Sequence, residues 1–252
     1  MTSVRATYRL QFSAAFDFAA GAVLAPYLAA LGISHVYASP IFAARDGSTH
    51  GYDITDYNRL NPALGDEADF VAMVDALWSQ GLKLILDFVP NHMGIGGADN
   101  AYWDSLLEWG KDSPYAHWFD VDWQAPGLEG KVLFPFLGTS CAEALAEGAL
   151  ELRLDRDGRM AIWAHDTHRL PICPRHYAMV LNAAGSALAD DFAAIRDAAP
   201  QDQRWQDLQG KLAAQGADLA AFKDPARLGA LISEQHWRAA KFNLDADVIN
   251  YR

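Results

Sequence analysis

The strongest constraint on this chain is the order in which its hydrophobic periods change over the first ninety residues. Ala6 to Phe12 reads as a strand, and Asp17 stands where a helix cap would stand. Ala20, Val23, Leu24, Tyr27, Leu28 and Leu31 follow at helical spacing, and Gly32 closes the segment. Pro26 falls inside that pattern, where its missing N–H predicts a kink or a fresh helix start. Ile33 to Ser39 is a near-continuous apolar run, the pattern of a strand covered on both faces. Asp66 then caps a second helix, with a stripe of Phe70, Val71, Val74, Leu77 and Trp78 and a stop at Gly81. Leu82 to Val89 is a third buried strand, ending in Pro90-Asn91-His92. Successive strands joined through helices pair in parallel by right-handed crossovers. The fold class is α/β.

Residues 40–65 form a Gly/Asn/Asp-rich loop, longer than a plain connection requires and therefore a candidate functional loop. After His92 the alternation stops, and residues 93–140 are irregular and rich in aromatics. Glu151 to Asp155 and Arg159 to Trp163 alternate in polarity about Asp157-Gly158, which predicts a β-hairpin. From Ser186 to Arg238 the composition turns to Ala, Gln, Asp and Leu, predicting helices parted by Pro200 and Pro225. One domain begins in α/β style and carries a large insertion just after a strand end.

Charge narrows the partners. Twenty Lys and Arg against 32 Asp and Glu leave a net −12, a field that repels phosphate backbones and anionic lipid heads. Nucleic acid and membrane surfaces are excluded as partners on this ground, whereas a neutral substrate is indifferent to it. Cys141 and Cys173 are the only cysteines, too few for a disulfide scaffold. The first residues lack the apolar run of a signal peptide, and the apolar stretch Ala19 to Leu31 is short and holds Pro26. The expected location is the cytoplasm.

Two segments carry chemistry: Gly47 to Tyr57, and Leu84 to His92. Asp87 closes an otherwise apolar run, at the carboxyl end of a parallel strand, where α/β proteins place their chemistry. A carboxylate there needs a partner, and Asn91 and His92 offer polar tips on the same rim. Tyr52 has a flat apolar face and a polar handle, suited to stacking on a sugar ring. The alternative is that Asp87 and Asn91 tie down loop ends while Tyr52 packs in the core. For any one residue the two readings balance; for both segments, separated by one helix, the site reading prevails.

The stretch from His50 to His92 resembles the first conserved region of the α-amylase superfamily, the family 13 glycoside hydrolases. Thr7-Tyr8-Arg9-Leu10-Gln11-Phe12, Ser39-Pro40-Ile41, Gly47 to Tyr57 and Asn91-His92-Met93 narrow the resemblance to a trehalose-forming branch. It continues in Ser113-Pro114-Tyr115-Ala116, Phe119 to Trp123, Arg169-Leu170-Pro171 and Ile249 to Arg252, and is patchy between 140 and 230. The resemblance implies the first three strands of a (β/α)₈ TIM barrel in residues 1–92. It implies an inserted mixed α/β subdomain in 93–248, with the hairpin near 151–163 and helices near 186–240, and a return toward the barrel in 249–252. The activity implied is an isomerase-type intramolecular transglycosylation, turning the reducing-end α-1,4 bond of a maltooligosaccharide into an α,α-1,1 bond. The alternatives are another amylase-type glucanotransferase or hydrolase, or a truncated non-catalytic α-glucan-binding module.

Residue by residue, the resemblance puts Tyr52 under the sugar at the cleavage site, with His50 and Asp53 on the same substrate face. His92 would hydrogen-bond the sugar's 6-hydroxyl. Asp87 would pair with an arginine near the nucleophile, and Asn91 would hold the inserted loop. In calcium-dependent amylases the equivalent Asn is a metal ligand; no further calcium-type cluster is seen here, so neither metal nor cofactor is expected. Retaining glycosidic chemistry needs two carboxyl groups roughly 5 Å apart. In this family they come from the fourth and fifth strands, so the pair is expected beyond Arg252, in the remainder of the same polypeptide, and the isolated chain is expected to be inactive. Arg153-Leu154-Asp155 spells the Arg-x-Asp of such a strand but alternates in polarity and runs into a turn, which predicts a solvated hairpin.

Three further signals compete with bland readings. His165, His168, Cys173 and His176 fit no usual zinc spacing and read as loop histidines, although the resemblance would turn His168-Arg169 toward substrate. Gly94-Ile95-Gly96-Gly97 opens no helix and does not read as a phosphate loop. Tyr102, Trp103, Trp109, Tyr115, Trp118, Phe119 and Trp123 fit a glucan-binding wall and an insertion core equally well.

Overall fold

The alternation over the first hundred residues is realised as a three-stranded parallel sheet. The computed structural model describes residues 3–165, 167–243 and 248–252, in two compact units, Met1–Asn100 and Ala101–Arg252. The first unit runs β1 (Thr7–Leu10), α1 (Phe18–Val23), α2 (Ala25–Ala30), β2 (His35–Ala38), β3 (Phe42–Ala44), β4 (Ile54–Leu60), α3 (Glu67–Ser79) and β5 (Lys83–Leu86). The sheet order is β1-β2-β5, with Thr7 opposite His35 and His35 opposite Lys83. With β3 and β4 set apart as a separate hairpin, the three parallel strands follow in chain order, as in three consecutive strands of a barrel.

Local chemistry sets the boundaries. The Asp17 carboxylate accepts from the Ala20 N–H at 2.8 Å, and Pro26 lies in the first turn of α2, where its missing N–H leaves no bond broken. The outcome is two short helices. Gly32, at φ +84°, ends the second. Asp66 and Asp69 form a reciprocal capping box at the start of α3.

Three expectations about this unit need correction. First, the buried residues of α1 and α2 are Phe18, Gly21, Ala25 and Leu28, whereas Val23, Tyr27 and Leu31 are exposed. The buried positions 18, 21, 25 and 28 keep one helical spacing across the break at Leu24, on a face carried partly by the small residues Gly21 and Ala25, and Gly21 sits so close to Phe12 that a Cβ would stand 2.9 Å from its ring. In α3, likewise, Met73 and Leu77 are buried while Val71 and Trp78 face outward. Second, residues 40–65 are not all loop: β3 and β4 pair antiparallel across two register shifts. The polar run of Ile54 to Leu60 hides that strand from a hydrophobic period. Third, only Lys83–Leu86 of the third strand is in the ladder, and it is half-covered, because β5 is an edge of its sheet.

The second unit holds α4 (Ala101–Trp109), β6 (Val132–Leu137), α5 (Cys141–Ala146), β7 (Leu150–Leu154), β8 (Met160–Ala164) and β9 (His168–Pro171). After these come α6 (Tyr177–Ala183), α7 (Ala189–Ala194), α8 (Gln203–Gln215), α9 (Pro225–Ser233) and β10 (Trp237–Lys241). The hairpin forms as expected, and β9 extends it to a three-stranded antiparallel sheet. β10 was not expected: residues read as the end of the helical region instead pair in parallel with β6, Trp237 opposite Val132.

Arg169 is buried in this unit. It donates to Asp155 Oδ2 at 2.8 Å and to Asp104 Oδ2 at 3.0 Å. Asp155 thus opens the hairpin turn, its carbonyl accepting from the Gly158 N–H at 3.0 Å, while its carboxylate pairs with an arginine turned into the unit. The aromatics divide. Trp103 packs on Phe119, Phe134 and Tyr251, and Trp109 on Trp205, so both are core. Tyr102, Tyr115 and Trp118 form a separate cluster in which Trp118 is exposed. Among the described residues no helix is long and apolar enough to cross a membrane.

Candidate functional site

The site lies in the first unit, where β1 and β5 end and the segment from Arg45 to Asp53 folds over them. Asp87 directly follows β5, and its N–H donates to the Ala38 carbonyl at 2.9 Å, fixing the backbone one residue past the ladder. The Tyr52 hydroxyl donates to Asp87 Oδ2 at 2.5 Å and accepts from Arg9 Nη2 at 2.8 Å. Arg9 and Asp87 are themselves 3.9 Å apart, so the phenol stands between a cation and an anion. Tyr37, on β2 between them, has its phenol pKa raised, first by its hydrogen bond to Asp87 and then by burial.

The remaining predicted residues gather around Tyr52. His92 Nε2 donates to the Tyr52 carbonyl at 3.0 Å, and Asn91 Nδ2 donates to His92 Nδ1 at 3.0 Å. These partners select the Nε2–H tautomer. A sugar hydroxyl accepting from Nε2 would have to replace the Tyr52 carbonyl. His50 is exposed, tilted against the Tyr52 ring at 6.0 Å between centroids, and accepts from the Tyr52 N–H at 3.0 Å. Asp53 accepts from Ser48 Oγ at 2.5 Å and lies 3.9 Å from His50 Nδ1. Tyr57 reaches the carbonyls of Val89 and His92, pinning the strand-end turn. All six predicted site residues thus fall in one neighbourhood.

Sequence reasoning assigned no role to Arg9, Gln11, Tyr37 or Arg45. The period-two signal was available for the first two: Leu10 and Phe12 are buried, which leaves Arg9 and Gln11 on the other side of the same strand. For Arg45 the signal was the glycine run. A Cβ at Gly94 would stand 2.8 Å from Arg45 Cγ, and one at Gly96 would stand 3.0 Å from Arg45 Nη1. The run wraps an arginine, not a phosphate. Among the described residues no group of three or more His, Cys, Asp or Glu side chains could hold a metal ion. His176 Nδ1 instead meets Gln235, and His168 stacks on Phe136.

An aspartate at a parallel strand end, a tyrosine leaning on it and a histidine on the adjoining turn make up the candidate site. The α-amylase catalytic domain matches residues 24–145. Over those residues the chain is similar to the α-amylase superfamily, the family 13 glycoside hydrolases.

More narrowly, it is similar to maltooligosyl trehalose synthases. It is 40% identical over 160 residues to one named for Mycobacterium tuberculosis, an alignment covering 61% of this chain and 20% of that protein. Two solved structures match 98% of the chain. A glycosyltrehalose synthase gives a TM-score of 0.73 at 27% identity, with 28% of its length covered. The maltooligosyltrehalose synthase of Arthrobacter ramosus gives 0.67 at 28% identity, with 25% covered. The chain thus spans about a fifth of the curated relative it matches.

Proposed function

We propose that this chain supplies the sugar-holding half of an intramolecular transglycosylase acting on maltooligosaccharides. The reaction would cut the reducing-end glucose from its α-1,4 bond and rejoin it as α,α-1,1, leaving a trehalose end. The observation that carries the reading is the Tyr52 ring, anchored through its hydroxyl at the strand ends and flanked by His50, Asp53 and His92. An aromatic face fixed in this way, beside hydrogen-bonding groups, suits a pyranose ring. Similarity to the trehalose-forming synthases supports the choice among amylase-type reactions.

In this reading residues 1–92 are the beginning of the catalytic barrel and 93–248 its inserted subdomain. The two catalytic carboxyl groups, roughly 5 Å apart in retaining enzymes, belong to other residues of a longer cytoplasmic polypeptide. Asp87 and Asn91 support the site, and Tyr52, Asp53, His50 and His92 meet the sugar. Titration calorimetry with maltoheptaose tests this. The chain should bind the glucan without changing its reducing-end content, and Tyr52→Ala should weaken binding about tenfold, the equivalent of ~1.4 kcal/mol of stacking. Equal affinity in Tyr52→Ala, or no binding by the unmodified chain, would overturn the reading.

A further inference from the structure

We propose that Arg9 is a positioning residue for the sugar platform: with Gln11 it clamps the Tyr52 ring and the loop that carries it. The proposal rests on the reading of Tyr52 as the platform.

Three observations carry it. Arg9 and Gln11 are two residues apart on and just past β1, so the pleat places them side by side on one face. Their side chains then form a linked pair: Arg9 Nη1 donates to Gln11 Oε1 at 2.9 Å, while Gln11 Nε2 donates to the His50 carbonyl at 3.1 Å. The other arm of the fork, Nη2, reaches the Tyr52 hydroxyl at 2.8 Å. The clamp therefore grips the loop at two points, the backbone of His50 and the side-chain tip of Tyr52.

The chemistry explains why a guanidinium is needed. A phenol has one proton, and Tyr52 gives it to Asp87. With that bond alone the ring could pivot about the Asp87 oxygen. A second bond, accepted by the phenol oxygen from a fixed direction, removes the pivot. Arginine can do this while holding Gln11, because its planar fork carries several donors in set directions. A lysine ammonium carries its three donors on one nitrogen and lacks the fork that spans two partners held apart. Arg9 also lies over the Tyr37 ring, 5.8 Å from its centroid, which restrains the guanidinium plane. The Arg9 side chain is 39% exposed, so solvent screens its charge and the expected effects are modest.

Maltoheptaose binding to the whole chain, in a double-mutant cycle, reads the proposal. Arg9→Met should weaken binding about fivefold when Tyr52 is present and less than twofold in a Tyr52→Phe background, as expected for residues acting through one contact. Arg9→Lys should fall between Arg9→Met and the unmodified chain. Equal losses in both backgrounds would mean that Arg9 acts elsewhere, and no loss in either would mean that it does not act; each outcome overturns the proposal. Unchanged binding in Tyr52→Ala would instead bring down the site reading itself. The clamp is also decided without glucan, by NMR of tyrosine-labelled chain with the Tyr52 signal assigned through Tyr52→Phe. Arg9→Met should move the Tyr52 ring resonances while the circular dichroism stays constant, and an unmoved Tyr52 signal would overturn the clamp whatever the binding data show.

Discussion

Glu108 should make the unit Ala101–Arg252 lose stability as pH rises from acid to neutral. It lies on α4 and is almost wholly buried, and its Oε1 has no hydrogen-bond partner among the described residues. Burial dominates and pushes its pKa from 4.5 up to about 7, against the pull of Arg159 and Arg169 and with a smaller push from Asp104. Between those two pH values the folded chain keeps a proton that the unfolded chain has lost. The folded state is then penalised progressively as pH climbs from about 4.5, and the penalty is complete above about 7. At ~1.4 kcal/mol per pKa unit the full penalty is about 3 kcal/mol. Glu108→Gln keeps the shape and cannot ionise, so its stability should match the unmodified chain near pH 4 and exceed it by about 3 kcal/mol at pH 8. Urea unfolding followed by tryptophan fluorescence suits the test, since seven of the eight tryptophans lie in this unit. The slope of the difference against pH carries the prediction, because the new amide brings hydrogen-bonding needs of its own. Two parallel stability curves would refute the assignment of a neutral buried carboxyl.

Two further outcomes follow from the same coordinates. Gly158 turns the hairpin at φ +80°, and a Cβ there would stand 1.9 Å from the Gln209 carbonyl oxygen on α8. Gly158→Ala should therefore cost about 3 kcal/mol or more, and a fluorescence melt within a few degrees of the unmodified chain would contradict that packing. Cys173 is buried and its thiol is pushed up to about 12, first by desolvation, whereas Cys141 is only partly buried. At pH 8 a thiol reagent should label Cys141 and leave Cys173 until denaturant is added; labelling of both in the native chain would be the wrong result.

The placement of the candidate residues was legible because they sit at strand ends and turns, where position is set locally. Asp87 was expected at a strand end because it follows an apolar run, and Tyr52 in a loop because Gly47 and Gly51 precede it. The role of Arg9 is not legible in the same way. Nothing along the chain says that a residue on the first strand meets one 43 positions later, yet that contact is the 2.8 Å bond which anchors Tyr52.

The helix stripes failed for a related reason. Periodicity marks which residues are apolar, but the face that is buried is chosen by close packing, and in α1 and α2 it includes the small residues Gly21 and Ala25, which carry little hydrophobic signal. Val23 and Trp78 are apolar and exposed, a common condition for single surface residues.

The amino-acid sequence alone determined the parallel α/β start, the Asp17 and Asp66 caps, the turn at Asp157-Gly158 and the gathering of polar residues at the end of β5. Each follows from interactions among residues close in the chain, where propensity and capping act directly. Tertiary structure alone decided that Asp155 and Asp104 pair with Arg169, that Trp237–Lys241 is a strand beside β6, and that a glycine run encloses Arg45. These unite segments far apart in sequence, and their energies come from desolvating and matching groups that only the folded chain brings into contact.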